Sequence, residues 1–434
     1  MKINQKIYTW MVDSTHSDED TKNTQNTQSK KPHVAQNFVS LIIVNVFSKL
    51  ASQLADTKTT LPWLASSMGV PPFIIGLFVP LRESLSLLPQ VIFAGLIERY
   101  PKQRFYFFAS LLGQGLSILL LVILTLGASE WIAGIIMLIC ISVFALSRCV
   151  TSIVSKDMLG LLIPQSQRGQ LTGTSASIAG FFTLLMGFLI AIDVLDIENS
   201  AVWLLIFSSV TWMLAAVMCT CISRPKKQKE NDEGLSSKVA SFFTTLKNTP
   251  SLTYFICTRA CLVGSALSAP YILLLSTGGE SHTASVVSLG VFIMVSGVAS
   301  LLSARIWGRL ADKNSRSMLR FTAMLTAIIC AVAMVVALLD GQKPLWLIAL
   351  IFFVLNVIHQ GVRIARKTYI VDLADDEQRL RFVSLSNTAV GIVILVIGGL
   401  TAAIAQWSIP AVLALLSVMA LMAMALTVKL PKVS

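Results

Sequence analysis

Charge is scarce in this 434-residue chain: 13% of it is Asp, Glu, Lys or Arg, against 55% hydrophobic residues and a mean hydropathy of +0.75. No soluble core needs so much apolar material, which disfavours a cytosolic enzyme and a nucleic-acid-binding module. Cysteine is sparse and odd in number. All seven (Cys140, Cys149, Cys219, Cys221, Cys257, Cys261 and Cys330) fall in apolar stretches, a pattern that does not make a disulfide framework. Cys219-x-Cys221 lacks a second ligand pair, so packing explains it better than a metal. The opening residues are polar and lack an apolar h-region, so no cleaved signal peptide is expected and 1–36 reads as a disordered cytoplasmic tail. Ser-His-Asp, metal and phosphate-loop spacings are missing as well, so neither an enzyme nor a cofactor is expected.

What the chain does have is a series of apolar stretches, each near the roughly 20 residues needed to cross about 30 Å of hydrocarbon. They predict twelve spans, at 37–57, 72–94, 105–127, 131–154, 171–192, 201–222, 252–275, 284–304, 320–339, 345–365, 381–403 and 408–428. The expected fold class is all-α integral membrane. A polar break at 223–250, containing the run Arg224-Pro-Lys-Lys-Gln-Lys-Glu-Asn-Asp-Glu233, divides a six-helix bundle at 37–222 from another at 251–434. The net charge of +12 is distributed unevenly. With both termini on one side, Lys58 and Lys343 fall on the other side and Lys49, Arg82, Arg148 and Arg259 fall inside spans; the remaining Lys and Arg share the side of the termini. That asymmetry places both termini in the cytoplasm, with the chain in a plasma (inner) membrane, and the charge reports orientation rather than nucleic acid.

The halves repeat each other. At an offset of 211, Lys156 meets Lys367, Gln167 meets Gln378, Arg168 meets Arg379, Ser175 meets Ser386, Gly180 meets Gly391 and Gly187 meets Gly398. Each glycine pair is spaced by two helical turns, which keeps both on one face where a neighbouring helix can approach closely. Another element recurs at an offset of 214: Gly308-Arg-Leu-Ala-Asp312-Lys313-Asn-Ser315-Arg316 answers Ala94-Gly-Leu-Ile-Glu98-Arg99-Tyr-Pro101-Lys102. An acid followed by bases in a tight turn can latch helix ends. This loop resembles the signature G-x-x-x-D-(R/K)-x-G-(R/K) of the major facilitator superfamily. The later copy departs only at Ser315; the earlier copy has Ala94, Glu98 and Pro101 in the Gly, Asp and Gly positions. The resemblance implies two bundles rocking around a mid-membrane site, with Gly308, Asp312, Lys313, Arg316, Glu98, Arg99, Arg168 and Arg379 in gating loops.

An ionisable side chain at mid-bilayer is costly unless it faces protein or water, so each is a candidate. Asn45, Lys49, Gln53 and Asp56 form one stripe on the first span, with Ser52 alongside. Lys49 and Asp56 could instead snorkel or pair near its outer end. On the second span Arg82 and Glu83 lie near the centre, flanked by Ser86 and Gln90, with Pro80 and Pro89 able to kink the helix. They point about 100° apart, so one can face a cavity while the other makes an interhelical salt bridge. Arg148 shares a face with Thr151, Ser152 and Ser155, and Arg259 stands alone among apolar neighbours. On the tenth span Asn356, His359, Gln360, Arg363 and Lys367 share a face, the last two near the cytoplasmic edge where snorkelling accounts for them. His359 stands 211 residues after Arg148.

The excess of cations favours a small anionic organic solute, since Arg presents a planar fork to such groups. Glu83 and Asp56 are the candidates for proton coupling. The expected partners are the solute, the bilayer and protons, without nucleic acid or metal, for a monomeric carrier. Two alternatives stand beside it: a drug or metabolite efflux antiporter, and a non-transporting membrane sensor. The efflux branch of the superfamily carries G-x-x-x-G-P-x-x-G-G on helix 5, and Gly180–Ile192 has neither its proline nor its paired glycines.

Overall fold

The computed structural model describes residues 34–99, 102–192, 200–223, 249–276, 286–339, 343–373 and 376–431. The tail and linker readings fall almost wholly outside these residues. The described helices are α1 Val34–Leu54, α2 Thr60–Ser67, α3 Pro72–Leu87, α4 Gln90–Arg99, α5 Gln103–Thr125, α6 Glu130–Leu162, α7 Gln165–Ala191 and α8 Ser200–Cys219. They continue as α9 Pro250–Cys261, α10 Gly264–Leu274, α11 Val286–Lys313, α12 Ser315–Leu338, α13 Leu345–Leu373, α14 Asp376–Ala405 and α15 Ile409–Leu426. Ten segments are long and apolar enough to cross a membrane, with α9 and α10 counted as one. The other two of the expected twelve are α3–α4, interrupted at Leu88–Pro89, and α11, whose apolar stretch is the shorter Ser288–Ser303. At Pro89 the missing N–H and the ring's clash with the preceding turn break the helix.

The first span departs from its expected boundary. It does not end near residue 57: α1 stops at Leu54, the backbone unwinds over 55–59, and α2 resumes before Gly69, at φ 75°, turns the chain into α3. The unwound run is Ala55-Asp-Thr-Lys-Thr59, where Asp and β-branched Thr favour non-helical backbone. Lys58 therefore lies inside the first crossing and not on the outer surface. The seventh span is also interrupted, by a turn at Leu262–Val263 between α9 and α10.

Helix neighbours repeat between the halves. In the N-terminal half α5 packs on α6 and α8, α1 on α8 and α7, and α3 on α6. The C-terminal half answers with α12 on α13 and α15, α9–α10 on α15, α9 on α14, and α11 on α13. Each half also ties its last span to its third through arginine: Arg104 donates to the Ile222 carbonyl (3.3 Å), and Arg316 to those of Thr427 (3.0 Å) and Val428 (2.8 Å), beside Arg320, which donates to Thr427 Oγ1 (3.2 Å).

The halves join along two seams, α3 on α14 and α7 on α11, and glycine sets the approach at both. Gly187 lies against Met294, where an added Cβ would sit 2.6 Å from a backbone nitrogen, and its counterpart Gly398 lies against Pro80. Gly180 faces Leu301 as Gly391 faces Leu87 and Leu88; Gly290 meets Ala191 as Gly76 meets Ala402. Each pair maps onto the other by the 211 and 214 offsets read from the sequence. Close backbone approach replaces the hydrophobic drive that lipid cannot supply between apolar helices. At the far side, opposite the termini, Trp63 Nε1 of α2 also donates to Ser288 Oγ of α11 (3.0 Å). On the termini side Arg363 and Lys367 of α13 are exposed.

Candidate functional site

The charged residues gather where the broken helices face each other. Arg82 is ten residues into α3, about 15 Å along it, and His359 is fourteen into α13, about 21 Å, so both sit near mid-depth. Arg82 Nη1 donates to Asp56 Oδ1 (2.5 Å) and to Thr57 Oγ1 (3.0 Å), both in the unwound run. Its guanidinium carbon lies 5.7 Å from the centre of the Phe144 ring, and its Nε has no partner. Asp56 is thus no snorkelling group at the span's outer end. It holds Arg82 in an interhelical ion pair, the structural alternative that the sequence left open for this helix.

Beside that pair, Lys58 Nζ lies 2.9 Å from His359 Nε2, and His359 Nδ1 lies 3.1 Å from Ser265 Oγ. Ser265 spends its own proton on the Leu262 carbonyl (3.0 Å), so it accepts from Nδ1–H, and Nε2 is left to accept from the lysine ammonium. The chain of bonds runs from the break in the first span to the break in the seventh. It crosses between the halves and fixes the imidazole as neutral.

Repeat-related contacts flank it. Arg148 Nη1 donates to Ser52 Oγ (3.1 Å), fourth span to first, as His359 reaches Ser265, tenth span to seventh. Glu83 stands in the field of Lys58, Arg82, Arg148 and Arg366. Arg259, 9% exposed, gives Nη1 to Ser386 Oγ (2.8 Å) and leaves Nε unpartnered. Arg366, half-buried on α13, shares its field with Arg363 and Glu83. Around two carboxylates the structure therefore assembles Lys58, Arg82, Arg148, Arg259, Arg363 and Arg366.

Other expected residues have narrower roles. Lys49 Nζ donates to the Thr172 carbonyl (2.8 Å), and Gln53 Oε1 accepts from Thr183 (2.5 Å), so this part of the stripe binds α7. Asn45 is half-buried on α1. Ser86 bonds the Glu83 carbonyl, and Gln90 bonds the Ser86 carbonyl and, at 3.5 Å, Asn387 across the seam. Asn356 returns to the Phe352 carbonyl and Gln360 reaches Ser300 Oγ (3.4 Å). Thr151 does not join Arg148 against the first span, because it exchanges bonds with Gln114 and Ser110 of α5.

In the gating loops Arg168 caps α6 through the carbonyls of Ile163 (2.9 Å) and Gly160 (2.7 Å). Arg316 bonds the Thr427 and Val428 carbonyls, within its own half. Gly308 lies in the α11 backbone, while the side chains of Glu98, Arg99, Asp312, Lys313 and Arg379 fall outside the described residues.

Sequence reasoning missed Lys58 and Arg366. Lys58 was signalled by Leu61-Pro-Trp-Leu-Ala65, an apolar run that continues the span beyond the polar break. Arg366 follows His359 by seven residues, on the same helix face.

The major facilitator superfamily model matches residues 41–362 of the chain. Among solved structures the nucleoside transporter NupG superposes with a TM-score of 0.68 at 10% identity, covering 91% of this chain and 100% of that one. A POT family transporter in complex with 5-aminolevulinic acid gives 0.68 at 11%, covering 91% and 96%. The xylose transporter XylE from E. coli, inward open, gives 0.62 at 10%, covering 91% and 96%. At such identities the likeness establishes the fold alone. A search of curated proteins finds no match.

Proposed function

Since the chain belongs to the major facilitator superfamily, and is thus a multi-pass membrane transporter, we propose that it carries a small anionic organic solute by alternating access between its two bundles. The observation that supports this is the surplus of cations over carboxylates between the halves. Asp56 is committed to Arg82, which leaves Glu83 in the field of Lys58, Arg148 and Arg366, and Arg259 feels the same carboxylate. Uncompensated positive charge in a low-dielectric site is costly, and a bound carboxylate or phosphate relieves it while accepting bonds from the guanidinium forks.

In this reading Arg148 and Lys58 meet the solute from the N-terminal half, Arg259 and Arg366 from the other, and His359, Asn356 and Gln360 line the path. Glu83 is the proton site. Proton binding there would raise the positive surplus and help draw in the anion, so Glu83→Gln should abolish accumulation driven by a pH gradient yet permit exchange of solute. The bundles are 37–222 and 251–434, joined by the 223–250 linker, with both termini in the cytoplasm and the chain a monomer in the plasma membrane. The test is thermal stabilisation of the purified protein against organic anions, nucleosides, sugars and organic cations, since a ligand of the folded state raises its stability. Stabilisation by an organic anion, reduced in Arg366→Gln, is expected; stabilisation by cations alone would refute the reading.

A further inference from the structure

We infer that Lys58 is shared between His359 and the solute: in the empty carrier it ties the two halves together through His359, and the arriving anion takes it away. The idea rests on the anionic-solute reading and adds to it a residue that couples binding to movement.

The geometry supplies the tie. Lys58 Nζ and His359 Nε2 stand 2.9 Å apart across the interface between the halves, and the imidazole is anchored behind by Ser265 at 3.1 Å. Trp63 and Ser288 join the halves on the far side of this contact, so the two bonds together tie the halves towards that side. The backbone allows Lys58 to leave. It belongs to the unwound 55–59 run, where moving one residue does not require breaking a helical ladder, and irregular backbone at membrane depth persists where it lines a cavity.

The chemistry supplies the direction. An ammonium bound to a neutral imidazole keeps its full charge in a poorly solvated place. The charged groups acting on Lys58 are Asp56, Glu83, Arg363 and Arg82, and the first of these is already paired with the last. A carboxylate or phosphate adds to the ammonium's hydrogen bond a charge–charge attraction that neutral imidazole cannot offer, so an anion within reach outcompetes His359. The halves then lose their bond at the moment the site fills. That is a differential interaction of ligand with two states, the requirement for a ligand to shift a conformational equilibrium.

The two ends of one hydrogen bond should consequently respond in opposite senses. Lys58→Met removes the cation that the anion needs, whereas His359→Leu removes only its competitor. The experiment uses the full-length protein in nanodiscs, with spin labels at Leu126 and Trp407, exposed far-side positions in opposite halves. Inorganic phosphate, succinate and gluconate serve as probes. Without anion, both variants should shift the 126–407 distance distribution to longer values than wild type. Ser265→Ala, which only frees the imidazole behind, should shift it less and in the same direction. For a probe that binds wild type, Lys58→Met should weaken binding at least tenfold and His359→Leu should tighten it about threefold.

Equal weakening by both variants would overturn the proposal and make the bond a packing contact. Unchanged distances in all three variants would overturn it too. If none of the probes binds wild type while Lys58→Met still lengthens the distance, the tie stands and the anionic reading fails, together with the sharing of Lys58.

Discussion

In the N-terminal half, Arg82 has Asp56 at 2.5 Å and Glu83 lies among four cations; in the C-terminal half, Arg259 hydrogen-bonds the Ser386 hydroxyl, and the six spans as read from the sequence contain no Asp or Glu. The helix neighbours, the seam glycines and the arginine ties to the last helix are nevertheless shared. A duplicated skeleton has kept its packing and diverged in its charge. The N-terminal half pairs one of its cations internally, and the half without span carboxylates depends on a counter-charge from elsewhere, which the proposed anionic solute would bring.

The largest effect should come from breaking the ion pair that the other half lacks. Asp56→Asn or Arg82→Gln leaves an uncompensated charge in a poorly solvated place, at a cost of about 3–5 kcal/mol. The double variant should recover most of that loss in a double-mutant cycle read by thermal unfolding. Ser386→Ala beside Arg259 should cost only about 1 kcal/mol. Equal losses in the two halves would remove the contrast.

Solute binding should show the reverse order. Arg259→Gln and Arg366→Gln each remove a cation without a carboxylate of its own, weakening anion binding by about 1.5–3 kcal/mol, or roughly ten- to a hundredfold in titration. Lys49→Gln, whose partner is the Thr172 carbonyl, should weaken it less.

Where the halves agree, paired substitutions should agree. Gly187→Ala and Gly398→Ala press a methyl into Met294 and Pro80, each costing about 1–3 kcal/mol through overpacking and slowing exchange between orientations. A large effect at one seam alone would show that the carrier does not hinge symmetrically. The smallest effect concerns the ties to the last helices. Arg316→Ala, losing two carbonyl bonds, should destabilise by about 1 kcal/mol, and Arg104→Ala, losing one, by less.

How much of this was legible in the sequence depended on the kind of signal. Apolar length is an additive property of segments, so the spans could be read directly. The repeat offsets needed only matching, and they located Gly180, Gly187, Gly391 and Gly398, each of which lies at a seam. Discontinuity was harder. Asp-Thr-Lys-Thr-Thr looks the same whether it ends a span or interrupts one, and only the packing of α2 against α10 and α11 decides that Lys58 is inside. Partnerships were harder still: helical spacing places Arg82 and Glu83 on different faces, but that Asp56 meets Arg82 follows from the unwinding, a tertiary event.

The most direct test of the central claim is uptake by proteoliposomes holding the full-length chain, with radiolabelled succinate, phosphate and gluconate measured beside uridine and xylose, in wild type and in Arg366→Gln. Saturable uptake of at least one anion, lost in the variant, is the predicted result. Uptake of uridine or xylose alone, unchanged by Arg366→Gln, would contradict the account.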